Sequence, residues 1–342
     1  AARDAAKAGS LRTLESLRAR TAGHLLEAYP AYWLLAATLE RAAPEDVRAF
    51  LDRYADGPLA DSLRRDWLKV LGNAGQWDLF RAEHPALRSE DAEVACHALQ
   101  SRILRDDAEA LNEARVLFLA GREAPAACAA PFEAAADRRL VGSPEVWTRI
   151  RKLLAANLVR EARRANAMLP AREQFNEKAL ERAAADPAKY LAGEKSRIPT
   201  RATHELLLFA VSRLARSKPD DAVKHLEAHA AVLGADDTRY GYGQVAYAAA
   251  QSHHPSTLDW YERAGEGELS DAQLAWKVRA ALRAGDWAAV RAAINLMPPE
   301  QARDPAWRYW LARSPAEGGA RGASTALLTP LSAEPPFYGL LA

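Results

Sequence analysis

Two matched segments, far apart along the chain, constrain the fold more than any other feature. They read Leu71-Gly72-Asn73-Ala74-Gly75-Gln76-Trp77-Asp78-Leu79-Phe80 and Leu282-Arg283-Ala284-Gly285-Asp286-Trp287-Ala288-Ala289-Val290. In each segment a Gly can take the left-handed conformation that ends one helix, and the Gln or Asp after it can begin the next. The Trp then opens the second helix as a large apolar side chain facing its partner. Each segment predicts a helix hairpin, and the recurrence predicts an array of hairpins, which usually forms a scaffold.

Helical periodicity extends over nearly the whole chain. Val47, Phe50, Leu51 and Tyr54 follow i, i+3, i+4, i+7 spacing, and strand signals are almost absent. Pro and Gly fall mostly between such segments, where they end or begin helices. The sequence therefore predicts an all-α fold, a superhelical solenoid of helix hairpins with tetratricopeptide-like stacking that is curved or ring-forming.

The pattern predicts one scaffold domain over residues 1–330. Periodicity weakens at 183–200, where we expect a bend in the array. The chain loosens again after Trp310, and its final apolar cluster resembles the beginning of a helix. We therefore expect residues 331–342 to be the start of a following segment that the chain does not complete.

Composition excludes several classes of function. Lys and Arg number 46 against 45 Asp and Glu, so a net charge of +1 provides no global field for nucleic acid. Hydrophobic residues make up 49% of the chain, which is enough to bury a core. No apolar run reaches the length of about 18 residues that a transmembrane helix needs. We expect neither a nucleic-acid partner nor a transmembrane segment.

Motifs for common catalytic chemistry are absent from the sequence. It contains no GxxxxGK[ST], GxGxxG or GxSxG pattern, and neither Cys lies in a local motif of thiol enzymes. His225 and His229 have the i, i+4 spacing of metal ligands, but no third ligand can be identified, and a solvated or partly buried helix face explains them better. We assign no catalytic residue, no metal and no cofactor.

A basic stretch runs from residue 138 to residue 172, with nine Lys or Arg against two acids. Arg149, Lys152 and Arg163 in this stretch are our candidates for contacts with an anionic glycan or with another domain. The alternative is a solvated face beside a buried apolar stripe, and helical spacing favours it. That stripe comprises Trp147, Ile150, Leu154 and Leu158.

Cys96 and Cys128 are the only cysteines. They lie in separate predicted helical regions, so they either form one disulfide between neighbouring helices or remain two buried thiols. The residues alone leave both alternatives open.

The order of several short segments resembles the N-terminal superhelical, or U-type, region of the soluble lytic murein transglycosylases. Each segment is weak alone, but their order is specific and they span essentially the whole chain. They are Ala1-Ala2-Arg3-Asp4-Ala5-Ala6-Lys7-Ala8-Gly9, Tyr32-Trp33, Phe50-Leu51-Asp52-Arg53-Tyr54, Pro58-Leu59-Ala60-Asp61-Ser62-Leu63-Arg64-Arg65-Asp66-Trp67-Leu68, Gly75-Gln76-Trp77, Cys96, Leu117-Phe118-Leu119-Ala120-Gly121, Pro125-Ala126-Ala127-Cys128, Pro131-Phe132, Val146-Trp147-Thr148-Arg149-Ile150, Trp307-Arg308-Tyr309-Trp310-Leu311-Ala312-Arg313 and Phe337-Tyr338-Gly339.

The resemblance implies a parent lyase that cleaves the β-1,4 bond between N-acetylmuramic acid and N-acetylglucosamine and forms 1,6-anhydro products in cell-wall turnover. It implies a periplasmic protein whose signal peptide has been removed, and a disulfide between Cys96 and Cys128, since the family has cysteines at both positions. The implied partners are peptidoglycan glycan strands, the parent's own catalytic domain and cell-wall synthesis proteins.

The family's catalytic Glu belongs to a lysozyme-like domain with a Glu-Ser pair and a Gly-Leu-Met-Gln segment. Here Glu15-Ser16 has no Gly-Leu-Met-Gln downstream, so no catalytic residue is carried over and the linker and lysozyme-like domain are expected to be absent. The chain is then a non-catalytic scaffold that is inactive alone. The alternative is a tetratricopeptide-like protein-interaction module, which the missing 34-residue period opposes. Two segments support it, Lys218-Pro219-Asp220-Asp221-Ala222-Val223 and Gly285-Asp286-Trp287-Ala288-Ala289-Val290.

Overall fold

The computed structural model describes residues 1–194, 200–265, 267, 269–317, 321–334 and 337–342. Within these residues the chain forms 23 α-helices and three short 3-10 turns, and it forms no strand. The predicted all-α class is confirmed. The chain divides into two compact units, Ala1–Leu153 and Leu154–Ala342. The division falls inside a helix and not in the region 183–200, where the periodicity weakens.

Unit 1 contains ten helices in chain order. They are α1 Ala2–Lys7, α2 Leu11–Arg20, α3 Ala28–Thr38, α4 Pro44–Arg53, α5 Pro58–Asn73, α6 Trp77–Glu83, α7 Ala92–Ile103, α8 Ala108–Leu119, α9 Ala129–Asp137 and α10 Ser143–Ala155, whose last residues pass into unit 2, with 3-10 turns at Leu39–Arg41, His84–Ala86 and Ala126–Cys128.

Unit 2 contains the remaining described helices. They are α11 Val159–Asn166, α12 Glu177–Ala185, α13 Pro187–Gly193, α14 Arg201–Ala215, α15 Pro219–Ala228, α16 Ala230–Gln251, α17 Thr257–Ala264, α18 Asp271–Ala284, α19 Trp287–Asn295, α20 Pro299–Ala302, α21 Pro305–Glu317, α22 Arg321–Leu331 and α23 Phe337–Leu341. Gly234, at φ 75° and ψ 174°, interrupts the helical geometry of α16. Part of the expected bend, residues 195–199, lies outside the described residues.

Both predicted hairpins are present. Gly75 (φ +66°) and Gly285 (φ +71°) take the left-handed conformation between α5 and α6 and between α18 and α19. The Asp286 carboxylate accepts a hydrogen bond from the Ala289 N–H at 2.9 Å and so caps the start of α19. Trp77 and Trp287 are the first residues of their helices and pack, partly buried, against the apolar clusters of their units. The helix-ending Gly and the opening Trp therefore act as the sequence predicts.

Each unit has its own apolar core between consecutive helices. In unit 1, Val47, Phe50, Leu63, Trp67 and Phe80 belong to one cluster, which joins α4, α5 and α6. The corresponding cluster of unit 2 joins α18, α19 and α21 and includes Val278, Ile294 and Trp307. Within the described residues, no helix combines the length and the apolarity that a membrane crossing would require.

A disulfide joins Cys96 of α7 to Cys128 of the 3-10 turn that precedes α9. The two Cα atoms are 4.9 Å apart and 32 residues separate them along the chain. Both side chains are buried. The bond therefore ties α7 to the segment that follows α8 inside the core of unit 1.

Candidate functional site

Arg149 was expected on a surface, and the structure places it inside unit 1. Its side chain is only 5% exposed. Nη1 donates to the Phe118 carbonyl at 2.6 Å and Nη2 donates to the Arg122 carbonyl at 3.1 Å. The guanidinium carbon lies 4.9 Å from the centre of the Phe118 ring and 5.2 Å from that of Phe132. Because its buried guanidinium donates to carbonyls at and just after the end of α8, Arg149 has a structural role; the expected contact with glycan or with another domain stays a prediction.

Lys152 lies one turn further along α10 and remains exposed at the surface. Its Nζ donates to the Leu119 carbonyl, also at the end of α8, at 2.9 Å. The chain turns away from α8 at Gly121, whose φ is +63° and where an added Cβ would come within 2.3 Å of the Lys152 Cβ. The Lys152 stem therefore packs against this turn while its ammonium group is accessible to solvent.

Arg163 belongs to unit 2, on α11. Its Nη2 donates to Glu181 Oε1 of α12 at 2.8 Å, and both side chains of this ion pair are partly exposed. The pair neutralises part of the charge that the basic stretch was expected to present. The three candidates thus divide between the two units and do not form a single site within either.

His225 and His229 do not form a metal site with their neighbours. The Nδ1 of His229 lies 2.8 Å from the His225 carbonyl oxygen, which is donor geometry for a protonated Nδ1. Burial lowers the pKa of the His225 imidazole, and the nearby His229 lowers it further. Across the residues that the structure describes, no three His, Cys, Asp or Glu side chains are grouped to hold a metal ion.

A groove in unit 2 was not singled out from the sequence. It lies between the end of α16, the beginning of α17 and one face of α18, and its volume is about 480 Å³. Trp276, Arg279 and Arg283 of α18 line it at i, i+3 and i+7, a spacing that the sequence shows. His253 lines the opposite side, at a turn where its own φ is +59°. Trp276 is half-buried and both Arg side chains are exposed.

Comparison with known proteins yields matches among solved structures only. No protein-family model matches the sequence, and no curated protein sequence matches it. The chain is similar to the X-ray structure of an inactive mutant of the lytic transglycosylase Slt from Pseudomonas aeruginosa. That match has a TM-score of 0.63 and 25% identity, and it covers 99% of this chain and 56% of that chain.

Two further solved structures are also similar. One is the 70-kDa soluble lytic transglycosylase from Escherichia coli, with a TM-score of 0.56, and the other is the 70-kDa soluble lytic transglycosylase in complex with bulgecin A, with a TM-score of 0.55. Each is 20% identical and covers 99% of this chain and 56% of that chain. The chain thus spans little more than half the length of these enzymes, and the resemblance expected from its sequence is confirmed.

Proposed function

From a fold shared along 99% of its length with soluble lytic transglycosylases, we propose that this chain is the non-catalytic helical scaffold of a peptidoglycan lytic transglycosylase. The parent protein cleaves the β-1,4 bond between N-acetylmuramic acid and N-acetylglucosamine in cell-wall turnover and leaves 1,6-anhydro ends. The observation that carries this proposal is the match to Slt from Pseudomonas aeruginosa, which extends over both compact units.

The buried disulfide between Cys96 and Cys128 supports a periplasmic location. Disulfides persist in oxidising compartments, including the bacterial periplasm, and are rare in the reducing cytosol. The Cys side chains are 0% and 1% exposed, so the bond belongs to the core of unit 1 and not to a reactive surface site.

The proposed partners are peptidoglycan strands, the parent's own catalytic domain and cell-wall synthesis proteins. Peptidoglycan carries carboxylates on its peptides, so an exposed cation can contribute to binding it. Lys152 and Arg163 remain candidates for such contacts, since Lys152 is exposed and Arg163 lies in an ion pair that is partly open to solvent.

Catalysis is assigned to the parent protein and not to this chain alone. Cleavage of a glycosidic bond requires a carboxylic acid beside the leaving oxygen in a groove that holds the sugar. Glu15 of the only Glu-Ser pair lies exposed on α2, and the sequence contains no Gly-Leu-Met-Gln segment. We expect purified chain to release no 1,6-anhydromuropeptides from sacculi above a blank, as measured by mass spectrometry. Release of such products by the chain would contradict this assignment.

Co-sedimentation with purified sacculi tests the scaffold's binding to peptidoglycan. We expect the wild-type chain to sediment with sacculi, and Lys152→Glu and Arg163→Glu to reduce the bound fraction. Lys178→Glu is the matched control, because Lys178 is an exposed cation outside the proposed contacts. A wild-type chain that stays in the supernatant would contradict glycan binding and favour the alternative, a protein-interaction module.

A further inference from the structure

We propose that the groove of unit 2 lined by Trp276, Arg279 and Arg283 is a carboxylate-binding site, and that its ligand is a carboxylate of the short peptides of peptidoglycan. That the carboxylate comes from peptidoglycan rests on the proposed function, whereas the preference for a carboxylate is argued from the residues of the groove.

The face of α18 that forms the groove combines large and small side chains. Trp276, Arg279 and Arg283 project from it, while Ala280 and Ala284 next to the two Arg residues leave space. The opposite side consists of the turn from α16 to α17, with His253 and the apolar residues Pro255 and Leu258. A volume of about 480 Å³ accommodates a small ligand such as a few residues of peptide. The apolar parts of the lining suit short aliphatic side chains next to a charged group.

Arg279 is held by two indole rings. Its guanidinium carbon lies 5.2 Å from the ring centre of Trp276 and 5.2 Å from that of Trp307. Trp307 is only 8% exposed and belongs to the core cluster of unit 2, so it provides a fixed support. Contact between a guanidinium and aromatic rings leaves its N–H donors available for a planar, bidentate partner. A carboxylate is such a partner, and a cation already positioned loses little entropy on binding it.

The charges of this groove are not neutralised by the protein. Throughout the described part of the chain, neither Arg279 nor Arg283 has an ion pair or a hydrogen bond, and the lining contains no Asp or Glu. Some other exposed Arg side chains of unit 2 do have carboxylate partners, as Arg263 does with Glu227 at 2.7 Å. Two like charges one turn apart repel each other, and a bound carboxylate would relieve this repulsion.

The two histidines at the groove differ in their availability. His254 is stacked on Trp260 with ring centres 4.8 Å apart, its Nε2 lies 3.2 Å from Asp220 Oδ2, and its Nδ1 accepts the Ser256 N–H at 3.3 Å. Both of its nitrogens therefore have partners within the protein. His253 is exposed and lines the groove on the side opposite the two Arg side chains. Recognition of an anion is assigned to Arg279 and Arg283, with His253 at the rim.

Binding of soluble ligands to the full chain tests the proposal by calorimetry. The probes are a disaccharide-peptide with free carboxylates, the same compound with its carboxylates converted to amides, and a peptide-free chitooligosaccharide. We expect the first probe to bind, and amidation to weaken its binding about tenfold or more, since charge-assisted hydrogen bonds are lost. The peptide-free sugar should bind no better than the amidated probe. Equal affinity for the free and amidated probes would overturn the proposal.

Variants locate the site. Arg279→Gln and Arg283→Gln should each weaken the carboxylated probe by about tenfold and leave the amidated probe unaffected. Arg216→Gln is the matched control, because Arg216 is an exposed Arg of unit 2 outside the groove, without an ion pair among the described residues. Thermal melting checks that each variant is folded. If Arg279→Gln does not fold, Arg283→Gln alone tests the site. Unchanged affinity in a folded Arg283→Gln would overturn the site, as would displacement of the probe by inorganic phosphate and not by acetate.

Comparison with sacculus binding separates this proposal from the proposed function. If wild type sediments with sacculi but its binding of the soluble carboxylated probe does not depend on Arg283, the groove proposal fails and the scaffold function stands. If Arg-dependent binding of the carboxylated probe occurs but the chain does not sediment with sacculi, the carboxylate site stands and peptidoglycan as its source is excluded.

Discussion

Replacement of Arg149 by Met should destabilise unit 1 substantially, although Arg149 lies in a stretch that looks like a solvated basic face. Met preserves much of the side-chain length and its contact with Phe118 and Phe132, but it cannot donate to the Phe118 and Arg122 carbonyls. The substitution therefore isolates the polar role of the guanidinium from its packing.

The magnitude follows from the two hydrogen bonds that are lost. A hydrogen bond to a charged group contributes about 1.5–3 kcal/mol, and a buried acceptor left without a partner costs about 1–3 kcal/mol. The Phe118 carbonyl keeps a long bond from the Gly121 N–H at 3.4 Å, and removing a buried charge recovers part of its desolvation cost. We expect a net loss of about 2–4 kcal/mol in the free energy of unfolding.

Lys152→Met is the matched control for this prediction. Lys152 is on the same helix and donates to the next carbonyl of α8, that of Leu119, but it is exposed. Water can replace its hydrogen bond, so its loss should cost less than about 1 kcal/mol. Urea denaturation followed by circular dichroism measures both variants. A loss below about 1 kcal/mol in Arg149→Met, equal to that of Lys152→Met, would refute the structural role of Arg149.

Substitutions of the two cysteines and of the two hairpin Trp residues test the cores of the units. Cys96 and Cys128 are 32 residues apart in sequence, so replacing both by Ala opens the loop that the disulfide closes. The chain-entropy relation then predicts a loss of about 4 kcal/mol in the free energy of unfolding. Titration of two free thiols in the unreduced, denatured wild type would contradict the bond. Trp77→Ala and Trp287→Ala should each cost about 2–3 kcal/mol, less than a fully buried Trp, because both indoles are partly buried against neighbouring helices. Trp→Phe at the same positions should lose less, and Ala variants that melt like wild type would show that the indoles do not support the hairpins.

The hairpins could be predicted from sequence because their determinants are local. A Gly at the end of one helix and a Trp at the start of the next specify a turn and a buried contact within a few residues. The same holds for most of the predicted apolar stripe, since Trp147, Ile150 and Leu154 of α10 are all buried as the spacing indicates. Leu158, the fourth predicted member, lies beyond the end of α10 and is only partly buried. The left-handed φ of Gly75 and Gly285 follows from the same local chemistry.

The position of Arg149 could not be predicted because its partners are backbone carbonyls. Hydrophobic periodicity indicates which apolar side chains are buried, but it does not depend on backbone carbonyls at the end of another helix. Phe118 and Arg122 precede Arg149 by 31 and 27 residues, and only the packing of α8 on α10 brings them together. A buried Arg between stripe positions therefore has the same sequence signature as a solvated one.

The contrast between the basic stretch and the groove of α18 concerns which charges the fold leaves unpaired. Arg149 and Lys152 donate to carbonyls of α8, and Arg163 pairs with Glu181. Within the described residues, Arg279 and Arg283 retain their charge without such a partner. An anion is attracted by positive side chains that have no acidic partner within the protein. An excess of Lys and Arg along the sequence is therefore weaker support for an anion-binding surface than unpaired Arg side chains that line one groove. For this reason ligand binding should be more sensitive to Arg283→Gln than to the loss of any base in the stretch from 138 to 172.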